Sequence, residues 1–256
     1  MSKLAKALSG AAGNAGGDPL YVEDVFSTFL YEGSGSTRSI DNGIALSDEG
    51  GLVWLKNRDA NDSHALIDTI NGPTKRLSSN STDAAQDLSD YFSFPSAGTT
   101  GFNLIQHGVN SSNQAWTSWT FRKAEKFFDV VTYTGNYTAG TTIAHNLGSA
   151  PKMMFIKNTS GTGGGNRDWI VYHASLGGTK FLSLNLTASE TTRAAEFNNT
   201  DPTSSVFTLG GGFNTNQTGE SYVAYLFASD AGGFGDDGDE NIIKCGGYTA
   251  DSSNAY

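Results

Sequence analysis

The chain carries the same pattern twice, and that duplication limits its fold more than any single residue does. The run Trp116 to Phe121 (WTSWTF) reappears as Tyr222 to Phe227 (YVAYLF), and Phe102-Asn-Leu104 reappears as Phe207-Thr-Leu209, 105 to 106 positions further on. Upstream, Thr74-Lys75 matches Thr179-Lys180, Leu52 to Asn57 matches Met153 to Asn158, and Phe29 to Gly33 matches Val131 to Gly135. Landmarks in one order at nearly one offset are the signature of a repeated folding unit. Ile242 to Tyr248 has the apolar, Tyr and Gly pattern of Phe128 to Tyr133, so a third copy is expected to open there. The reading is a tandem array of domains of roughly 100 residues each. Its expected parts are an N-terminal anchoring segment over 1–23, a first repeat over 24–127, a second over 128–235, and a linker with the start of a third repeat over 236–256.

Both repeats read as short strands. In the first the signals are Val25 to Tyr31, Gly51 to Lys56, Phe102 to Ile105 and Ala115 to Phe121. In the second they are Phe128 to Tyr133, Lys152 to Lys157, Trp169 to Tyr172, Lys180 to Leu184, Val206 to Leu209 and Ser221 to Phe227. These runs are rich in β-branched and aromatic residues and are separated by Gly, Asn, Ser and Asp clusters, with almost no helical periodicity. The expected fold class is all-β, as tandem antiparallel β-sandwich domains of jelly-roll-like topology. Trp119 and Phe121 alternate with Ser118 and Thr120, which predicts one inward and one outward face for that strand. Before the repeats, Leu4, Leu8 and Ala11 share a face at helical spacing, and Gly13, Gly16, Gly17 and Pro19 end the helix. A stripe that small holds no lone helix, so these three residues are the candidate anchoring contacts of a docking segment.

Composition excludes several classes. Charged residues make up only 16% of the chain and the net charge is -10, which leaves no basic groove to follow phosphates and argues against nucleic-acid binding. A single cysteine, Cys245, rules out an internal disulfide framework. No apolar run reaches bilayer-spanning length, and the basic start lacks a signal-type apolar core, so neither membrane insertion nor signal-directed export is expected.

No constellation for chemistry emerges. Asp236, Asp237, Asp239 and Glu240 form the best metal candidate, because Ca²⁺ takes clustered carboxylates on pliable Gly-rich loops. They lack the positional pattern of a calcium loop and read as a solvated linker within Ala231 to Glu240. His64, His107, His145 and His173 have no zinc spacing and read as surface or loop residues. Cys245 has no repeat-matched His and reads as a structural thiol. Gly161 to Gly165 lacks the Lys-Ser/Thr of a phosphate loop and reads as a hairpin tip. The N-x-S/T triplets follow from composition. Trp54, Trp116, Trp119 and Trp169 could stack on sugar rings, but they lie inside strand patterns, where a core role is the default. No catalytic residue, metal site or cofactor is expected.

Trp116 to Gly135, taken with Ile143 to Gly148, Ile156-Lys-Asn158 and Val171 to Ser175, resembles a repeat domain of structural proteins of marine bacteriophages. Cyanophage and pelagiphage tail-fibre-like chains carry such repeats in tandem. The opening Leu8 to Pro19 and Tyr21 to Tyr31 resembles the start of those proteins. The resemblance covers essentially the whole chain, with departures at Asp87 to Phe94 and in the length of Ile40 to Lys56. It implies a virion structural protein assembled in the host cytoplasm, a tail fibre whose N-terminal part anchors to tail or adaptor proteins and whose repeats project outward for host attachment. It also implies a homo-oligomer, a trimer by the family pattern, host-surface glycans as a partner, and no catalytic residues. A head-fibre or capsid-decorating protein, a free carbohydrate-binding module, and the non-catalytic part of a polysaccharide depolymerase stay open.

Overall fold

The computed structural model describes residues 19–105, 108–161 and 167–248. Among these, regular structure is almost all antiparallel strand. Three helices of one turn each are present, α1 (Val22–Val25), α2 (Ala194–Phe197) and α3 (Phe213–Asn216). The first half runs β1 (Phe26–Glu32), β2 (Arg38–Ile40), β3 (Gly51–Asn57), β4 (Ala65–Asp68), β5 (Lys75–Arg76), β6 (Gln86–Asp87), β7 (Phe92–Ser93), β8 (Phe102–Leu104) and β9 (Ala115–Arg122). The second runs β10 (Phe128–Thr134), β11 (Thr141–Ala144), β12 (Met153–Asn158), β13 (Ile170–His173), β14 (Lys180–Ser183), β15 (Thr191–Thr192), β16 (Val206–Leu209) and β17 (Ser221–Phe227).

The two halves share one sheet plan. In the first, a large sheet is ordered β1-β9-β3-β4, a bridge from Leu66 to Leu77 continues it to the β5-β6 hairpin, and a smaller sheet is ordered β2-β8-β7. In the second, the large sheet is β10-β17-β12-β13-β14-β15 and the smaller is β11-β16. Register agrees residue by residue. Trp119 lies between Thr28 and Trp54, and Tyr225 lies between Val130 and Phe155. Phe121 opposes Phe26 and Leu52, and Phe227 opposes Phe128 and Met153. These antiparallel sheets are consistent with β-sandwich domains.

Three cores result. One lies between the large and small sheets of the first half, built on Tyr31, Ile40, Leu55, Phe92, Phe102 and Trp116. A second lies in the matching place of the second half, built on Met154, Ile156, Phe197, Phe207, Leu209 and Tyr222. The third holds residues of both halves, with Leu52, Leu66 and Leu77 packed with Phe128, Phe155, Trp169, Tyr225 and Phe227. Leu52 and Leu66 correspond in register to Met153 and Val171, so each half offers the same face of its large sheet to the other. The middle strands of the large sheets, β3 and β12 among them, are therefore buried on both faces. This is why Leu52 to Leu55 and Met153 to Ile156 are continuous apolar runs instead of alternating ones. It also corrects the outward face expected for β9: Ser118 and Thr120 are fully buried, and Thr120 Oγ accepts from Asn42 Nδ2 at 2.7 Å.

The glycine-rich stretch after β17 differs from a solvated linker. Phe234 is buried in the shared core, its backbone bridges Glu240, and Gly235 N donates to the carbonyl of Leu20 at 2.9 Å. Ile242 to Tyr248 forms no strand, although Ile242, Ile243 and Cys245 pack on the cores. The physical reason is partnership. Phe26 is held by Phe121 and Phe128 by Phe227, and among the described residues no strand pairs with Ile242 to Tyr248 in that way.

Candidate functional site

One corner of each half is built the same way. Tyr31 Oη donates to Val109 O at 2.8 Å, and Tyr133 Oη donates to Thr215 O at 2.8 Å. Asn110 and Asn216, both fully buried, accept from the backbone N–H of Ser34 and Asn136 and donate to the carbonyls of Ser36 and Thr138. Tyr31 stacks on Trp116 with 9° between the ring planes, and Tyr133 stacks on Tyr222 with 10°. Gly33 and Gly135 permit the close approach, since a Cβ there would meet the carbonyl oxygens of Ser111 and Gln217 at 2.0 and 2.3 Å. The corner therefore fixes the loops at one end of each half, and loops on a rigid sheet are where binding residues usually sit.

What fills the corner differs. In the second half Tyr222 Oη donates to Phe213 O at 3.0 Å and accepts from Gln217 N at 2.9 Å, while Phe181 packs into the core with Arg193 over its ring at 5.3 Å. In the first half the matching positions are Trp116 and Arg76, and a cleft of about 310 Å³ opens there. Asp62, Ser63, Arg76, Ser111 and Trp116 line it. Trp116 is 2% exposed, yet among the described residues its Nε1 has no hydrogen-bond partner, and neither has Arg76 Nε. Burial lowers the pKa of the Arg76 guanidinium, and the charges of Asp62 and Tyr91 pull it back up. Asp62, at the rim, accepts from Asn57 Nδ2 at 2.7 Å. The cleft thus presents a cation, an indole N–H and two hydroxyls beside one carboxylate, a set suited to hydrogen-bonding recognition.

Residues 22–239 match the model of a family described as a domain of unknown function, DUF7483. The chain belongs to that family. The match runs across both halves, as does the shared core, so the DUF7483 unit takes in the pair. No curated protein and no solved structure matches the chain.

The residues singled out in the sequence take varied places in this DUF7483 unit. Leu4, Leu8 and Ala11 lie outside the described residues, as do His107 and most of Gly161 to Gly165. Asp236, Asp237, Asp239 and Glu240 are exposed; Tyr21 Oη hydrogen-bonds Asp236, and no group of three or more potential metal ligands exists among the described residues. His145 departs from a surface role. It is 5% exposed, with Nε2 on Thr203 O at 3.2 Å and Nδ1 accepting from Leu147 N, because β11 ends against the core. His64 is half-buried and its Nδ1 accepts from Trp54 Nε1 at 2.8 Å. Burial holds the pKa of both histidines below the ordinary imidazole value. Cys245 Sγ donates to Ala228 O at 3.5 Å, and burial raises its thiol pKa.

The tryptophans form no exposed platform. Trp116 and Trp169 are buried, and Trp54 and Trp119 pack edge to face on each other. Besides Tyr248, the exposed aromatics among the described residues are Tyr137 and Phe213, 5.1 Å apart at the second half's corner, with Arg167 over the Phe213 ring. Sequence reading missed them because neither lies in a strand pattern. Tyr137 has φ of 60°, a left-handed conformation that a sequence marks for glycine, and Gly35 has it at the matching position of the first half.

Proposed function

We propose that the chain is a structural protein of a bacteriophage virion, a tail fibre or tail-associated fibre. Residues 1–23 anchor it and the repeats project outward toward the host. The sandwiches are read as tandem and jelly-roll-like, with the pair as the building block, and copies of the chain associate as a homotrimer. The observation that carries this reading is the shared aromatic core. A projecting element must hold its direction, and two sandwiches joined through Phe121, Phe128, Tyr225 and Phe227 cannot swing as they would on a free linker. A weakly charged surface rich in Ser, Thr, Asn and Gly suits close packing of copies. The resemblance of Trp116 to Gly135 to marine phage repeats supplies the virion.

The test is deletion of residues 2–20, with incorporation into particles followed by antibody labelling. The expected result is a folded protein that is absent from particles, while full-length chain is labelled at the tail. Label on the capsid would replace the tail with a head fibre, and normal incorporation of the deletion would remove the anchor. A second reading, a carbohydrate-binding module, is favoured by the first half's polar cleft.

A further inference from the structure

We propose that the first-half cleft binds a singly charged, polyhydroxylated carboxylate, a sugar acid of the hexuronate type. The cleft's own chemistry leads there, independently of whether the chain is part of a virion. Two buried donors point to a ligand rich in acceptors, because an unpaired buried N–H costs stability unless something accepts its hydrogen bond. Trp116 Nε1 and Arg76 Nε are both buried without a partner among the described residues, and both side chains line this cleft. The guanidinium is the group that recognises carboxylates through parallel N–H bonds. Ser63 and Ser111 add hydroxyls that donate or accept, and Asp62 supplies the acceptor that a ligand hydroxyl needs.

The other ligand classes fit worse. A phosphate or sulfate dianion would meet one cation and the Asp62 carboxylate together. A flat base has nothing to stack on, since the Trp116 ring is covered by Tyr31. At about 310 Å³ the cleft exceeds what one bridging water needs and is at the small end of ligand sites, sized for a single ring. The second half has Phe181 where Arg76 stands and partners for the Tyr222 hydroxyl, so the matching place there is closed by its own side chains.

The chain has four tryptophans, which makes their indole N–H signals in a ¹H–¹⁵N spectrum countable, and a Trp116→Phe variant assigns the one in the cleft. Full-length protein is titrated with glucuronate, glucose and acetate. The Trp116 indole signal is expected to move with glucuronate, with a dissociation constant on the order of a millimolar, and to move far less with the other two. Arg76→Met should weaken glucuronate binding about tenfold or more. Should that variant not fold, Ser63→Tyr, on the loop before β4, blocks the cleft mouth with Arg76 in place and should abolish the shift. A Trp116 signal unmoved by glucuronate, or moved equally by acetate, overturns the proposal. So does an undiminished shift in either folded variant.

Discussion

The two halves share their ladders and their corner hydrogen bonds, yet one end of the first half is open and polar where the second is filled and apolar. The difference separates two kinds of residue. Those that hold the backbone, Gly33 and Gly135, Asn110 and Asn216, Tyr31 and Tyr133, are the same in both copies. Those that line the space beside it have diverged, with Arg76 for Phe181 and Trp116 for Tyr222. Substitutions of the first kind should therefore cost alike in the two halves, while at the second kind exchanging one copy's residue for the other's should cost little.

The largest effect is expected at the surface where the halves meet. Phe128 is fully buried against Phe121, Phe127, Tyr225 and Phe227. Phe128→Ala should cost about 3–5 kcal/mol by leaving a cavity. Because that core holds residues of both halves, wild type and variant should each unfold in one transition. Hydrogen exchange during denaturant unfolding checks this, and two transitions with one half surviving would mean that each sandwich stands alone.

The corner asparagines come next. Asn110→Ala and Asn216→Ala each take the partner from a backbone N–H (Ser34 or Asn136) and a backbone carbonyl (Ser36 or Thr138), at a cost of about 2–3 kcal/mol. The two costs should agree within about 0.5 kcal/mol in urea unfolding. A gap wider than about 1 kcal/mol would show that the shared geometry is not shared energetics.

How far these features could be read from the sequence follows the same division. The repeat was visible because strand residues buried on both faces are apolar in runs, so Leu52 to Asn57 and Met153 to Asn158 match by eye. β4 was missed while its counterpart β13 was seen, since Ala65 to Asp68 carries no aromatic and Trp169 to Tyr172 carries two. The fold class followed from strand density, but the mutual burial of the large sheets did not. Ser118 and Thr120 look solvent-facing in any one-dimensional pattern, and only a second layer makes them core. The cleft was not legible at all. Arg76 is one more exposed-looking arginine until the turn of the chain brings Asp62 and Trp116 beside it, and the two copies have to be laid over one another before the unpaired indole stands out.

A junction lysine gives a pH test. Lys157, fully buried, donates to Thr82 O and Arg167 O at 2.7 Å each, tying the halves together, and burial lowers its pKa to about 8. In the unfolded chain it titrates near 10.4. Between those values the unfolded state binds more protons, so stability should rise with pH, by about 2 kcal/mol from pH 7 to 10. Two accepting carbonyls favour the ammonium and trim the gain. Cys245, with its raised thiol pKa, opposes it. Above about pH 10 the buried tyrosines, whose pKa values are raised, reverse the trend. Lys157→Met should remove the rise, and an unchanged slope in that variant would assign it to other groups.

The smallest expected effect tests the comparison most directly. Arg76→Phe places in the first half the residue that closes the second. It removes a guanidinium that gives up water without a partner for Nε, and Asp62, being exposed, loses little with it. It adds a ring next to Trp116 in space already open. The net change should be between zero and about 1 kcal/mol of added stability, because filling a void and removing a half-buried charge act in the same direction against a modest repacking cost. The Trp116 indole signal should then stay fixed when glucuronate is added. A loss above about 2 kcal/mol would mean that Arg76 holds the loops around it and that the cleft is a by-product of that support. A stable protein that no longer responds to glucuronate would mean the first half has given up a filled core position to keep a charged one, which a purely structural repeat has no reason to do.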